Sequence, residues 1–296
     1  MPLAGLVGVV IPTHNRKDRL LACLAHVRVL TDASCCPIVV YDGCTDGSQA
    51  AAEAAFPDVV AVEGDGNLWW SGCINAGTDV ARRIDATHIL ILNDDVRPAP
   101  DMLGCLLQAS VYHPDAIIGS KVLFADEPGR IWCAGGTTDW WRRGSYAIGN
   151  GADDGPGWCG LREVHWLPGM GTLVPMGTMD RLGGMDAVAF PQYFADVDFC
   201  LRARQVGIPV LQCGDARLYN DVRSTGAMLP SGRVDLKTCV TILSSLRSHA
   251  NWRPRFRFWG RHCPPPLIPW QAVRFYGPLL AVMLKKLTWD HLRSSP

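Results

Sequence analysis

The chain has no CxxC pair among its twelve cysteines, no GxxxxGKS or GxxxxGKT loop, no GxGxxG turn after its first apolar run, and no net charge. Each absence removes a class. Without thiols at ligand spacing, neither a zinc ribbon nor a disulfide framework is indicated, and buried, reduced thiols are expected. Without either glycine loop, a P-loop hydrolase and a dinucleotide-dependent dehydrogenase fall away, since "PTHNRK" (Pro12 to Lys17) stands where the loop would be. No stretch reaches the roughly 20 apolar residues of a spanning helix. The run Leu6 to Ile11 lacks a basic n-region and is too short for a signal sequence. A cytoplasmic chain is expected, soluble or peripheral on the cytoplasmic face of a membrane.

What is present is a globular composition, 48% hydrophobic and 19% charged, with a concealed charge split. From Arg247 onward nine Lys or Arg stand against one acid, Asp290, so the tail carries +8 and the rest −8. A net-acidic body argues against a nucleic-acid partner, whereas a basic, aromatic-rich tail suits an anionic surface.

The apolar pattern alternates strand and helix. VGVVI (Val7 to Ile11) is a β-branched run suited to a strand buried on both faces, ended by Pro12. Asn15 is positioned to cap a helix reaching Val29, with Leu20, Leu21, Leu24 and Val27 at helical spacing. Strands at Ile38 to Tyr41, Val59 to Val62 and Ile89 to Leu92 enclose helices at Ser48 to Phe56 and Cys73 to Ile84. This βαβαβαβ order predicts right-handed crossovers and a parallel sheet. Ligands of such sheets bind beyond the carboxyl ends of the strands, which here carry Thr13, Asp42, the Asp65 to Asn67 turn and Asn93 to Asp95. Further on, the pattern predicts a helix over Asp101 to Tyr112 and a strand over Ile117 to Leu123. It also predicts loops from Gly135 to Gly160, two strands within "VHWLPGMGTLVP", and a helix over Met176 to Leu182. A last helix starts near Asp196, with Leu201, Ala203 and Val206 inward and Gly207 as C-cap.

Asp94 and Asp95 end what should be a central strand. Clustered carboxylates repel and require a cation, for which a hard divalent ion holding a diphosphate is one candidate. Five segments, "VVIPTHNRKDRLLACLAHV", "IVVYDGCTDGS", "NLWWSGCINAG", "ILILNDDVRP" and "FPQYFADVDFCLRARQVG", resemble in order and spacing the family-2 inverting glycosyltransferases of the GT-A fold, rhamnosyltransferase-like branch. The resemblance runs from about Val7 to Gly226. It implies an α/β fold in which a Rossmann-like nucleotide-binding half (1–100) and an acceptor half (101–230) share a mixed, mostly parallel sheet, with 231–296 a basic, amphipathic helical extension. It further implies a nucleotide-sugar donor, dTDP- or UDP-linked, with dTDP-rhamnose among the candidates, and a saccharide or lipid-linked saccharide acceptor of the cell envelope. The donor set is Pro12, Thr13, Asn15, Asp42, Asn67, Trp70, Asn93 and Asp94, with Asp42 accepting a uracil or thymine N3–H. Asp95 would bind Mg²⁺ or Mn²⁺, Asp196 would be the general base, and Trp166, Gly169 and Met170 would meet the acceptor. Trp140 and Trp141 are further candidates for that cleft.

The alternatives at these positions are structural. Asp196 could be a helix cap, Asp198 and Arg202 a surface pair four residues apart, and Trp69 and Trp70 core plugs. Ala195 and Asn220 stand where the family commonly has an acid and a histidine, which leaves open a sugar-nucleotide-binding protein without catalysis. In the tail, Leu280, Met283, Leu284 and Leu287 form an apolar stripe beside Lys285 and Lys286. It could anchor the chain on an anionic membrane, pack on the catalytic domain or form a homodimer; a membrane-recruited interaction module is the rival function.

Overall fold

The structure, a computed structural model, describes residues 5–30, 34–221, 229–230, 232 and 234–287. Asp290, Arg293 and the motif beyond Asp221 lie outside the described residues. By compactness the chain divides into two units, one of residues 1–137 and 146–224, the other of residues 138–145 and 225–296. The short 138–145 segment groups with residues 225–296.

The first unit runs β1 (Val7–Thr13), α1 (Lys17–Val27), β2 (Cys35–Asp42), α2 (Ser48–Ala55), β3 (Val60–Gly64), α3 (Trp69–Arg83) and β4 (His88–Ile91). It continues with β5 (Val96–Pro98), α4 (Met102–Tyr112), β6 (Ile117–Phe124), β7 (Ile131–Cys133), a hairpin of β8 (Gly136–Asp139) and β9 (Gly144–Ala147), and β10 (Leu161–Glu163). β11 (Thr172–Pro175), α5 (Met176–Leu182), α6 (Ala195–Gln205) and β12 (Val210–Asn220) complete it. The tip of the β8–β9 hairpin is the piece that joins the second unit. The main sheet has the order β10-β12-β6-β11-β4-β1-β2-β3. The β4-β1-β2-β3 half is parallel throughout, and β11 enters antiparallel between β4 and β6. This is the mixed α/β sheet that the resemblance implies, whereas the strand–helix order by itself predicts a parallel one.

β1 is central because both its faces are apolar. Val9 and Ile11 pack with Leu20 and Leu24 of α1, and Val10 meets α3 on the other face, all without solvent exposure. Each such side chain contributes roughly 1.5–3 kcal/mol by burial. α3 lies flat on the strand only because Gly77 has no side chain; a Cβ there would sit 2.3 Å from Val10 Cγ1.

Several boundaries differ from the sequence reading, each for an identifiable reason. β1 continues through Pro12 to Thr13, since β4 pairs with it only as far as Val10 and a proline is tolerated where one neighbour is missing. Asn15 does not cap α1: Arg16 holds that position, and the Asn15 side chain instead accepts the Thr45 N–H. α3 starts at Trp69, four residues earlier than its apolar period suggests. The 135–160 region contains β8, β9 and a 3₁₀ turn at Pro156–Trp158, and "VHWLPGMGTLVP" contains one strand, β11. The inner face of α6 is Ala195, Asp198, Phe199, Cys200 and Ala203, while Val206 is exposed.

The second unit holds α7 (Leu236–Ser244), α8 (Trp252–His262) and α9 (Ile268–Leu287), with "PPL" forming a 3₁₀ turn into α9. Its core joins Val234, Cys239, Ile242 and Met283, with Leu279 and Leu287 alongside. The expected stripe is thus split, because Leu280 and Leu284 face outward. Buried Arg255 lies 3.4 Å from the Phe275 ring centroid and donates to the His249 carbonyl at 2.8 Å. Burial lowers its pKa to about 10, so it stays charged at neutral pH. Trp140 packs on Phe258 with its carbonyl bonded by Gln271, and Trp141 is exposed. Both tryptophans fall in the second unit. Pro265–Leu287 is long and apolar enough, at mean hydropathy 1.3, to cross a membrane by length and composition. In the sequence Gln271, Arg274 and Pro278 interrupt the apolar run, whereas the helix continues through them.

Candidate active site

The loops after β1 and β2 are laced together. Asn15, in the left-handed region at φ 52°, accepts the Thr45 N–H at 2.7 Å, the Lys17 N–H donates to Asp46 at 3.0 Å, and His14 Nδ1 lies 2.6 Å from the Asp42 carbonyl. Asp42, 6% exposed, accepts from the N–H groups of Gly66 (2.8 Å), Leu68 (3.3 Å) and Trp69 (2.9 Å). Three of a carboxylate's roughly four acceptor positions are thus taken by the turn before α3, which leaves about one for a base N–H. The same bonds explain why α3 begins early: a carboxylate from another strand satisfies its first amides. Asn67 is exposed in this turn, its N–H held by Asp65.

Beyond β4, Asp94 is 2% exposed. Its carboxylate accepts the Thr13 hydroxyl at 2.8 Å and pairs with Arg16 Nη1 at 2.7 Å. Arg16 Nη2 reaches Asp95 at 2.7 Å, and Arg19 Nη1 lies 3.8 Å from the same carboxylate. Burial pushes the Asp94 pKa up to about 6, against the pull of Arg16. Both carboxylates thus meet a cation, as their repulsion requires, but it is the arginine of "PTHNRK". Arg16 is marked in the sequence only as a basic residue in the loop directly after the strand beside the acidic one. Among the described residues no three His, Cys, Asp or Glu side chains gather as a metal cage. Asp95, 13% exposed at its side chain, remains a hard oxygen donor of the type that holds Mg²⁺ or Mn²⁺ together with substrate phosphates.

Asn93 opens a second network. Its Oδ1 accepts the Trp70 indole N–H at 3.0 Å, and the Trp70 backbone N–H donates to Gln192 at 3.2 Å. Gln192 carried no sequence signal. The indole covers Gly169, where a Cβ would fall 2.4 Å from Trp70 Cζ2. The Gly169 N–H in turn donates to Asp196 Oδ2 at 2.8 Å. Asp196 is therefore joined to the strand-end polar run by one hydrogen bond, one ring contact and a second hydrogen bond.

Asp196 lies in the first turn of α6 with Phe194 as the N-cap residue, so the cap alternative does not describe it. Its Oδ1 accepts the Val197 N–H at 2.9 Å. Burial raises its pKa, partly offset by the two amide bonds, which makes it a stronger base than an ordinary aspartate. Phe194 (φ 74°), the N-cap of α6, and Trp69 (φ 55°), the first residue of α3, are non-glycine residues in the left-handed region. Such conformations typically cost about 1–3 kcal/mol and persist where surroundings enforce them. Asp198 is fully buried and bonds Arg202 Nε at 2.8 Å, while Arg202 also serves the carbonyls of Leu182 and Gly184. The expected pair is present, in the interior and not on the surface.

The structure thus gathers Thr13, Asn93, Asp94, Asp95 and Arg16 at one strand end, and connects Trp70, Gly169 and Asp196 to them. Trp166 and Met170 are half-buried against the core, with Trp166 over Gly136, and Pro12 is held within β1.

Residues 8–163 match the sequence model described as glycosyl transferase family 2. An N-acetylglucosaminyl-diphospho-decaprenol L-rhamnosyltransferase of Mycobacterium tuberculosis is 25% identical over 277 residues, covering 84% of this chain and 87% of the relative. Among solved structures, GalNAc-T7 with UDP, GalNAc and Mn²⁺ superposes with TM-score 0.60 at 12% identity, over 81% of this chain and 47% of that one. The mannosyltransferase PcManGT of Pyrobaculum calidifontis, in complex with GDP-Man and Mn²⁺, gives TM-score 0.53 at 16% identity, over 74% and 58%. The chain spans about half the length of these two structures.

Proposed function

The chain belongs to glycosyl transferase family 2 and is a glycosyltransferase of GT-A fold, and from that premise we propose an inverting enzyme that moves a sugar from a dTDP- or UDP-sugar, such as a rhamnose donor, to a hydroxyl of a lipid-linked saccharide at the cytoplasmic face of a membrane. The acceptor hydroxyl attacks the anomeric carbon, the bond from that carbon to the diphosphate breaks, and Asp196 takes the hydroxyl proton as the new glycosidic bond forms. The observation that carries this reading is the Gly169 bond that holds Asp196 by one oxygen and, through Trp70, ties it to Asn93. Asn93, Asp94 and Asp42 line the donor side, and Asp95 would hold Mg²⁺ or Mn²⁺. When bound, that ion offsets leaving-group charge. The decaprenol-linked substrate of the mycobacterial relative supports a lipid-linked acceptor.

A thermal-shift panel of nucleoside diphosphates with and without Mn²⁺ tests the donor class. A ligand at about 100 times its Kd contributes about 2.7 kcal/mol, or roughly 5 °C for a chain of this size. UDP or dTDP is expected to give such a shift with Mn²⁺ and a smaller one after chelation. Equal shifts with GDP and ADP would remove the pyrimidine assignment, and full transfer activity in excess chelator would remove the ion.

The tail supports membrane contact by its own surface. Trp270, Val273, Leu280 and Leu284 share one face of α9 and are 50%, 66%, 43% and 62% exposed, with Arg274 and Lys285 exposed nearby. Each basic residue near an anionic leaflet adds about 1 kcal/mol. The full chain is expected to co-sediment with anionic vesicles, more weakly at high salt, and a Trp270→Ser, Leu284→Ser double variant to stay in the supernatant. Equal pelleting of the two would retire the anchor.

A further inference from the structure

We infer that Arg16 is a built-in counter-cation that holds Asp94 and Asp95 until a donor arrives and then yields Asp95, so that the divalent ion binds with the nucleotide and not ahead of it. The inference rests on the reading of Asp95 as the ion's protein ligand, and it adds an order of binding.

The geometry is that of a fork. Nη1 takes Asp94 and Nη2 takes Asp95, each at 2.7 Å, so one guanidinium neutralises two adjacent carboxylates. The three partners are not equally able to move. The Asp94 and Asp95 side chains are 3% and 13% exposed on the turn closing β4, whereas the Arg16 side chain is 31% exposed, at the head of α1. Thr13 fixes Asp94 further. The arginine is the partner with a path to solvent.

A tethered cation is present at high effective concentration, and a divalent ion must displace it to reach Asp95. A donor diphosphate changes that balance. It offers the guanidinium a bidentate acceptor of equal quality and supplies phosphate oxygens to the ion. Donor and ion should therefore favour each other reciprocally, because the same arginine opposes the ion and welcomes the diphosphate. Arg19, 3.8 Å from Asp95, stays as a second positive group and limits how far Asp95 is left uncompensated while the exchange occurs.

Direct titration of Mn²⁺ into the full-length protein, followed by the loss of the free-ion EPR signal, tests this without any turnover. For the unaltered protein, binding of Mn²⁺ alone is expected to be weak and to tighten about tenfold or more with UDP or dTDP, within the usual range of coupling. In Arg16→Gln, Mn²⁺ alone is expected to bind about tenfold tighter and the nucleotide effect to shrink. Arg16→Lys keeps a charge but reaches one carboxylate at a time, so it should fall between, and it carries the test if the Gln variant folds poorly. Adding Asp95→Asn to Arg16→Gln should abolish the gain. Unchanged Mn²⁺ affinity and unchanged nucleotide coupling in both Arg16 variants would overturn the inference while leaving the ion site standing. No Mn²⁺ binding by any of these proteins, even with a nucleotide that thermal shift shows to be bound, would overturn the ion site and the inference with it.

Discussion

Asp196→Asn is expected to lower the transfer rate by about 10² to 10⁴, roughly 3–5 kcal/mol in barrier, while nucleotide binding stays intact. Two observations set the size. The carboxylate is the group held by the Gly169 amide beside Trp70, and burial raises its affinity for a proton. An amide occupies the same volume but has no lone pair basic enough to take the hydroxyl proton. It also has one acceptor oxygen where the aspartate uses two, so either the Gly169 or the Val197 N–H loses its partner, at about 1–3 kcal/mol. The pH profile separates the two effects. With the unaltered enzyme the rate should fall on the acid side with a midpoint above the ordinary carboxylate range, because protonation below the raised pKa fills the lone pair that the proposed base would use. The variant's residual rate should lack that limb. Single-turnover rates against pH, with thermal shift by UDP or dTDP, measure both. A variant within tenfold of the unaltered enzyme, retaining the limb, would show that the base is another group.

Gly169→Ala should be nearly as damaging although it removes no functional atom. The added methyl would lie 2.4 Å from Trp70 Cζ2 and 2.6 Å from Cη2, closer than side-chain atoms approach. Either the indole moves and gives up Asn93, or the 169 backbone moves and drags its N–H from Asp196. Misplacing a reacting group by about 1 Å costs on the order of 10²-fold in rate, and overpacking adds about 1–3 kcal/mol of instability. Trp70→Phe in the Gly169→Ala background makes room for the methyl, so stability should recover more than either single variant predicts. Rates and melting temperatures of the two single variants and the double variant measure the coupling. Strict additivity in both would mean that the ring contact transmits nothing between the donor side and the base.

Much of the first half was readable because a strand covered on both faces needs a continuous apolar run, and such runs at β1, β2 and β4 have few other uses. Helix edges were less readable where the capping group is remote in sequence. α3 begins at Trp69 because Asp42, 27 residues away, receives its N–H, and no local pattern records that. Trp70 presented two readings, ligand or plug. The structure gives it a third, a strut whose ring lies on Gly169 and whose N–H holds Asn93. In the tail, helical periodicity alone puts four apolar residues on one stripe. Met283 and Leu287 turn inward while Leu280 and Leu284 turn outward, since α7 covers one side of α9.

The order of strands and helices from β1 to β4, the polar endings of β1, β2 and β4, and the presence of a carboxylate at the head of α6 were determined by the sequence alone, because they follow from local periodicity and residue type. Which cation meets Asp94 and Asp95, and what holds Asp196, were decided only by the tertiary structure. Those pairings join Arg16 to Asp95 and Gly169 to Asp196. Contacts between residues so far apart along the chain depend on sheet order and loop closure, which set side chains a few ångströms apart without leaving a mark in the spacing of the residues themselves.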